Sequence, residues 1–251
     1  MFKAIIKIIF LLLWLTLACL LAWVIKKTGQ KKLFARFCNF GFAGLCFIVG
    51  LRVKTIGEIS ALRPLLLVSN HLSYLDVLIL GATTPARFTP KSEVANWAII
   101  GWICKLLDAV FIERKNDKIK NASAKMKKAL AAGEVISLFA EGTTGDGKHL
   151  LPFKSSLFSI AEEKLENGEI LVQPAIIKYT HIGSLPIEST QWAKIAWYGD
   201  MSLAPHLWQL LQLGKIDVSV TILPPVTLAQ FGDRKKLTNY CKKQAEEVLQ
   251  G

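Results

Sequence analysis

A chain of 251 residues, 52% of them hydrophobic and with a formal net charge of +12, is long enough for one large domain plus an appendage and greasy for a soluble protein. The basic excess suits an anionic membrane surface or a nucleic acid, but no finger spacing, basic zipper or RNA-binding aromatic motif accompanies it, so a nucleic-acid partner is set aside. The five cysteines contain no C-x-x-C and the four histidines no H-E-x-x-H, so no metal site is expected and the thiols read as small hydrophobes in a reducing compartment.

The apolar excess is concentrated at the start. From Ile8 to Ile25 the chain reads IIFLLLWLTLACLLAWVI, with Thr16 its single polar residue and no charge. As a helix this covers about 27 Å, enough for a thin hydrocarbon core. Trp23 stands near the end of the run and two lysines follow it, where a signal peptide would carry small residues at a cleavage site. A second apolar segment, Leu33–Leu51, is interrupted by Arg36, Asn39 and three glycines. The pair therefore predicts a membrane-associated helical hairpin over residues 1–51, lying in one leaflet or combining a span with an interfacial helix. Residues 1–60 hold nine Lys and Arg against one acid, Glu58. Basic residues beside an apolar anchor are drawn to anionic headgroups, and their weight after the first segment places the rest of the chain on the cytoplasmic face of the cell's inner membrane.

Over residues 52–251 short apolar runs alternate with helical stretches, which predicts one α/β domain with a central mixed sheet covered by helices. Strands are expected at Leu65–Val68, Val110–Ile112, Val135–Phe139, Leu171–Ile177 and Val218–Ile222. Helices are expected at Leu75–Gly81, Lys118–Ala132, Leu157–Glu166 and Leu237–Leu249, with Gly133 capping the second of them.

The stretch LLLVSNHLSYLD, Leu65–Asp76, runs a buried strand into a polar turn. An imidazole is the natural general base near neutral pH, and a carboxylate that fixes its tautomer improves it. Residues five apart point about 140° away from each other on a helix. His71 and Asp76 can therefore meet only if His71 sits in the turn and Asp76 in the first turn of the next helix, with Ser73 as the expected N-cap. A second feature is VISLFAEGTTGDGKH, Val135–His149, a strand entering a glycine-rich loop that carries Glu141; such loops can present backbone N–H groups to anionic oxygens. Gly142–Lys148 fits the phosphate-loop pattern, but His149 stands where the magnesium ligand belongs and Pro152 where a helix should continue. Nucleoside triphosphate binding is set aside. A third is DAVFIERK, Asp108–Lys115, whose Arg114 at a strand end would suit a phosphate.

Together these blocks resemble the glycerolipid acyltransferase family, most closely bacterial 1-acylglycerol-3-phosphate acyltransferases. The matching residues are Asn70-His71-Leu72-Ser73-Tyr74-Leu75-Asp76, then Phe111-Ile112-Glu113-Arg114, then Phe139-Ala140-Glu141-Gly142-Thr143, and the strand LVQPAII with Pro174. Ala140 replaces the family's usual proline, and Asp108 stands where glycine is common. The resemblance implies transfer of an acyl group from acyl-CoA or acyl carrier protein, with no cofactor, to the free hydroxyl of a lysolipid in the membrane. His71 would be the base and Asp76 its partner, backbone donors near Gly142 would face the oxyanion, and Arg114 would hold the acceptor phosphate. Glu141, Gly142 and Thr143 would shape that pocket, with Lys91 a further candidate and Asn70, Ser73 and Pro174 supporting. Ser73, so close to His71 and without a G-x-S-x-G elbow, is not expected to be a nucleophile. Lysophosphatidate is the acceptor expected from the phosphate-suited arginine. Lyso-ornithine lipid is the alternative, because Trp197–Leu211 resembles a segment of acyltransferases acting on it. A lipid-binding or transfer protein on the same scaffold is the reading of another class.

Overall fold

The computed structural model describes residues 2–112 and 116–251. Two antiparallel-connected helices, α1 (Phe2–Lys27) and α2 (Lys31–Val49), open the chain. The glycines that weaken α2 as a free-standing span have a packing reason. At Gly44 an added Cβ would fall 2.2 Å from the Trp14 ring, and the Trp14 indole donates to the Gly41 carbonyl at 2.9 Å. Small residues thus let the two helices close on an aromatic wedge.

A mixed sheet follows, built on β1 (Leu51–Ile56), β2 (Leu65–Ser69), β3 (Arg87–Phe88), β4 (Val135–Phe139), β5 (Leu171–Ile182) and β6 (Ile216–Ile222). Their spatial order is β1-β6-β5-β2-β4-β3. The β5–β6 pair is antiparallel and the other neighbours on this path are parallel. Strand β2 is buried along its whole length because both faces are covered. Leu65 and Leu67 point into one core, with Cys46, Val49, Leu75, Ile79 and Leu210. Leu66 and Val68 point into the other, with Leu130, Phe158, Leu237 and Cys241. On the first face lie the N-terminal pair, α3 (Leu75–Thr83) and α6 (Leu203–Gln212); on the second lie α5 (Asn116–Ala131) and α7 (Arg234–Gln250). The first helices are therefore fastened into the core, through Ala4, Cys46 and Val49.

Several expectations need correction. Val110–Ile112 forms no strand; it makes a single bridge between Ile112 and Lys91. Residues expected to continue an α-helix to Glu166 instead form a 3-10 helix, Ser155–Glu162, then a two-residue strand, Lys164–Leu165. Three residues per turn align Leu157 with Ile160 and Phe158 with Ala161, and this stacks both apolar pairs toward the core. Strand β5 runs five residues past its expected end, and β1, α4 (Ala98–Leu106) and α6 were not anticipated.

Candidate active site

The greasy run of β2 ends at Ser69, and six residues later α3 begins at Leu75. His71 lies in the turn between them and Asp76 in the first turn of α3, so the two side chains meet. His71 Nδ1 is 2.9 Å from Asp76 Oδ2. The same oxygen accepts the backbone N–H of Leu72 at 2.6 Å and of Ser73 at 2.8 Å. Asp76 Oδ1 accepts the Tyr179 hydroxyl, from β5, at 2.6 Å. Asp76 is fully buried, and a carboxylate out of water needs such a complete set of donors. Burial and the facing carboxylate push the Tyr179 phenol well above its ordinary range, so it remains a donor. With Nδ1 facing Asp76, the tautomer that donates there leaves Nε2 as the basic nitrogen.

The imidazole is fixed from below as well. It stacks on the Phe139 ring, centroids 3.8 Å apart and planes within 10°. The Gly145 N–H donates to the His71 carbonyl at 3.0 Å. Glu141 is buried, and both its oxygens face the main chain: Oε1 accepts the His71 N–H at 2.6 Å and Oε2 the Leu151 N–H at 2.9 Å. Burial, opposed by those two hydrogen bonds, raises its pKa to about 7. Glu141 therefore ties the His71 turn to the glycine loop rather than lining a ligand pocket. Asn70 ties the same turn to the sheet. Its amide pairs with both backbone groups of Ile177, accepting from the N–H at 2.8 Å and donating to the carbonyl at 2.9 Å. The side chain thus prolongs the β2–β5 ladder beyond the Val68–Pro174 pair.

Ser73 is not the N-cap of α3. Its hydroxyl oxygen is enclosed without a partner among the described residues, Tyr74 occupies the cap position, and Asp76 accepts the N–H groups of Leu72 and Ser73 ahead of the helix. Gly142 uses its own N–H on the Phe139 carbonyl at 3.0 Å, so it is not a free oxyanion donor; Thr143 and Thr144 are the next residues of that loop. Both family departures have local reasons. The Ala140 N–H donates to the Ser69 carbonyl at 2.8 Å, a bond proline cannot make. Asp108 has φ of 55°, a conformation glycine adopts freely, and its carboxylate takes the Lys26 ammonium of α1 at 2.8 Å. Arg114 and Glu113 lie outside the described residues.

His71 opens on a cavity of about 1950 Å³. One part is apolar and is lined by the N-terminal pair, through Leu11, Leu15, Phe34, Phe42 and Leu45; the part around His71 includes Phe139, Gly142, Thr143, Thr144 and Lys154. Lys91, exposed, and Tyr74 line it too. Neither Lys154 nor Tyr179 was anticipated from the sequence. Tyr179 lies in a strand that reads as plain core, and Lys154 in a loop with no pattern of its own.

An imidazole held by a buried carboxylate beside a large, mostly apolar cavity can deprotonate a hydroxyl on an amphiphile. Comparison with known proteins bears on the family. The acyltransferase family model matches residues 50–178. The chain is 36% identical, over 89% of its length and 84% of the relative's, to the lyso-ornithine lipid O-acyltransferase of Brucella abortus. It is 26% identical, over 73% of its length and 69% of the relative's, to the 1-acyl-sn-glycerol-3-phosphate acyltransferase of Neisseria gonorrhoeae. The crystal structure of the 1-acyl-sn-glycerophosphate acyltransferase of Thermotoga maritima superposes with a TM-score of 0.69 at 16% identity, covering 100% of this chain and 98% of that one, and so shares the fold. By the family match over half its length and by the relative it follows almost end to end, the chain belongs to the acyltransferase family.

Proposed function

We propose that this acyltransferase moves a fatty acyl group from an acyl thioester, acyl-CoA or acyl carrier protein, to the free hydroxyl of a lysolipid at the cytoplasmic face of the inner membrane. The observation that carries the reading is the buried Asp76 holding His71 Nδ1 at 2.9 Å on the wall of the cavity. His71 Nε2 takes the hydroxyl proton as the acceptor oxygen attacks the thioester carbonyl. The tetrahedral intermediate then expels the thiolate, which takes that proton back from the imidazolium to leave as thiol. Asp76 stabilises the transient imidazolium without itself being protonated. Ser73 is fully buried, which supports direct transfer over an acyl-serine intermediate.

Membrane residence is supported by α1 and α2, both long and apolar enough to cross a bilayer. Their outward side chains include Phe10, Leu12, Leu13, Phe40 and Phe47, all exposed. The order of acceptors follows the relatives: lyso-ornithine lipid first, on the 36% relative, and lysophosphatidate second, on the 26% relative. The test is transfer by wild type and His71→Ala in liposomes, offering both acceptors with acyl-CoA and with acyl carrier protein. Wild type should acylate lyso-ornithine lipid faster, and His71→Ala should lose activity by at least about 10²-fold. No product from any combination, with the protein shown to be folded, would favour a lipid-binding or transfer protein.

A further inference from the structure

An acceptor with its hydroxyl at His71 and its chain in the apolar part of the cavity must also seat a polar headgroup. Lyso-ornithine lipid and lysophosphatidate differ in headgroup but share an anionic group, carboxylate or phosphate. An anionic oxygen leaving water requires a cation or several N–H donors.

Most cations along the cavity are engaged. Lys26 pairs with Asp108, Arg87 with Glu134 and Arg234 with Glu162. Arg63 donates to the carbonyls of Ser60 and Leu62. Lys31 and Lys32 sit at the start of α2, a helix about 28 Å long whose other end meets β1.

Lys154 differs from these. Its side chain is exposed, lines the cavity, and makes no hydrogen bond or ion pair among the described residues. Its backbone is anchored beside the site: its N–H donates to the Ala140 carbonyl at 2.8 Å, and its carbonyl accepts from Leu157 at 2.9 Å. From there the side chain crosses Gly142. A Cβ built on Gly142, whose φ is +66°, would lie 3.2 Å from Lys154 Cδ and 3.3 Å from Nζ. Gly142 directly follows Glu141, which holds the His71 N–H, and the loop begins at Phe139, which stacks on the imidazole. The ammonium thus lies over Gly142, in the loop that holds the His71 turn, and Thr143 and Thr144 line the same cavity.

We propose that Lys154 anchors the anionic group of the acceptor headgroup beside His71. This rests on the acyl-transfer reading. An ammonium is a compact point charge that accepts carboxylate or phosphate without demanding a bidentate geometry, so it serves either acceptor. Gly142 supplies the space in which the side chain crosses the loop.

The experiment measures transfer by full-length wild type, Lys154→Ala, Lys154→Arg and Gly142→Ala in liposomes, with lyso-ornithine lipid and lysophosphatidate as separate acceptors. Alongside it, binding of each radiolabelled lysolipid is measured in the His71→Ala background with and without Lys154→Ala. Lys154→Ala should raise the acceptor KM at least 10-fold, leave the thioester KM within twofold, and weaken lysolipid binding by the same factor. Lys154→Arg should recover most of the loss, and Gly142→Ala should raise the acceptor KM too. A change confined to one lysolipid assigns the anchor to carboxylate or to phosphate. An unchanged acceptor KM and unchanged lysolipid binding, or a rise in the thioester KM instead, would overturn the proposal. If wild type transfers to neither acceptor, the functional reading fails, and the binding arm still decides Lys154.

Discussion

Asp76, itself fully buried, receives four donors: the imidazole, two backbone N–H groups and the Tyr179 hydroxyl. Each hydrogen bond to an ionised group contributes about 1.5–3 kcal/mol, and an unmade one leaves the carboxylate exposed to its desolvation cost. On the proposed mechanism Tyr179 is a positioning residue that acts on His71 through Asp76. Tyr179→Phe should lower kcat about 10-fold while leaving both KM values near wild type. In an Asp76→Asn background the same change should have little further effect, since the partner it acts through is altered. Steady-state kinetics of the four proteins checks this; equal losses in both backgrounds would show that Tyr179 acts by another route.

Among the elements, α3 carries Asp76 and is pinned at both ends. Asp76 collects donors at its start. At its other end the Asn39 amide of α2 donates to the carbonyls of Gly81 and Thr84, each at 2.6 Å. These are C-terminal carbonyls that a helix cannot satisfy internally. Gly81 lets α2 approach this closely, for a Cβ there would lie 2.5 Å from the Phe42 ring. The asparagine that makes Leu33–Leu51 a poor free-standing span is therefore a link between the N-terminal pair and the helix that carries Asp76. Asn39→Ala should destabilise the protein by about 1–3 kcal/mol, and Asn39→Asp by more, because it sets a carboxylate against two carbonyls. Thermal unfolding in detergent should show melting temperatures in the order wild type, alanine, aspartate.

The pH dependence of stability belongs to the whole molecule. The Glu141 pKa is raised by burial from 4.5 to about 7 in the folded chain. Below about pH 4.5 the group is protonated folded or unfolded. Between there and pH 7 the folded state retains a proton that the unfolded chain releases, so stability falls as pH rises through this window. The shift corresponds to about 3 kcal/mol. Glu141→Gln has no such proton to lose. The difference in melting temperature between wild type and Glu141→Gln should therefore change across pH 5–8, wild type losing ground as pH rises. A constant difference would mean that Glu141 does not titrate there. Because Glu141 holds the turn of the base, this stability is local to the active loop as well as global.

His71 and Asp76 were legible because five-residue spacing forbids a shared helix face and so demands the turn-then-helix geometry found here. The second face of β2 was equally readable, since an uninterrupted apolar strand must be covered on both sides. The apolar period at the N-terminus identified the helical pair by length and hydropathy alone. Tertiary structure decided the rest. Glu141 looked like a pocket residue until its two oxygens were found on the His71 and Leu151 amides, partners separated by seventy and ten residues. Ser73 carried the right chemistry for a cap, but Tyr74 takes the cap position and the Asp76 carboxylate gathers the N–H groups of Leu72 and Ser73 ahead of the helix. Tyr179 acquired its role only because β5 lies beside β2 in the sheet, and Lys154 because its loop folds back over Gly142. Local spacing encodes what neighbouring residues can do to one another; which distant group completes a buried charge depends on which strands lie side by side.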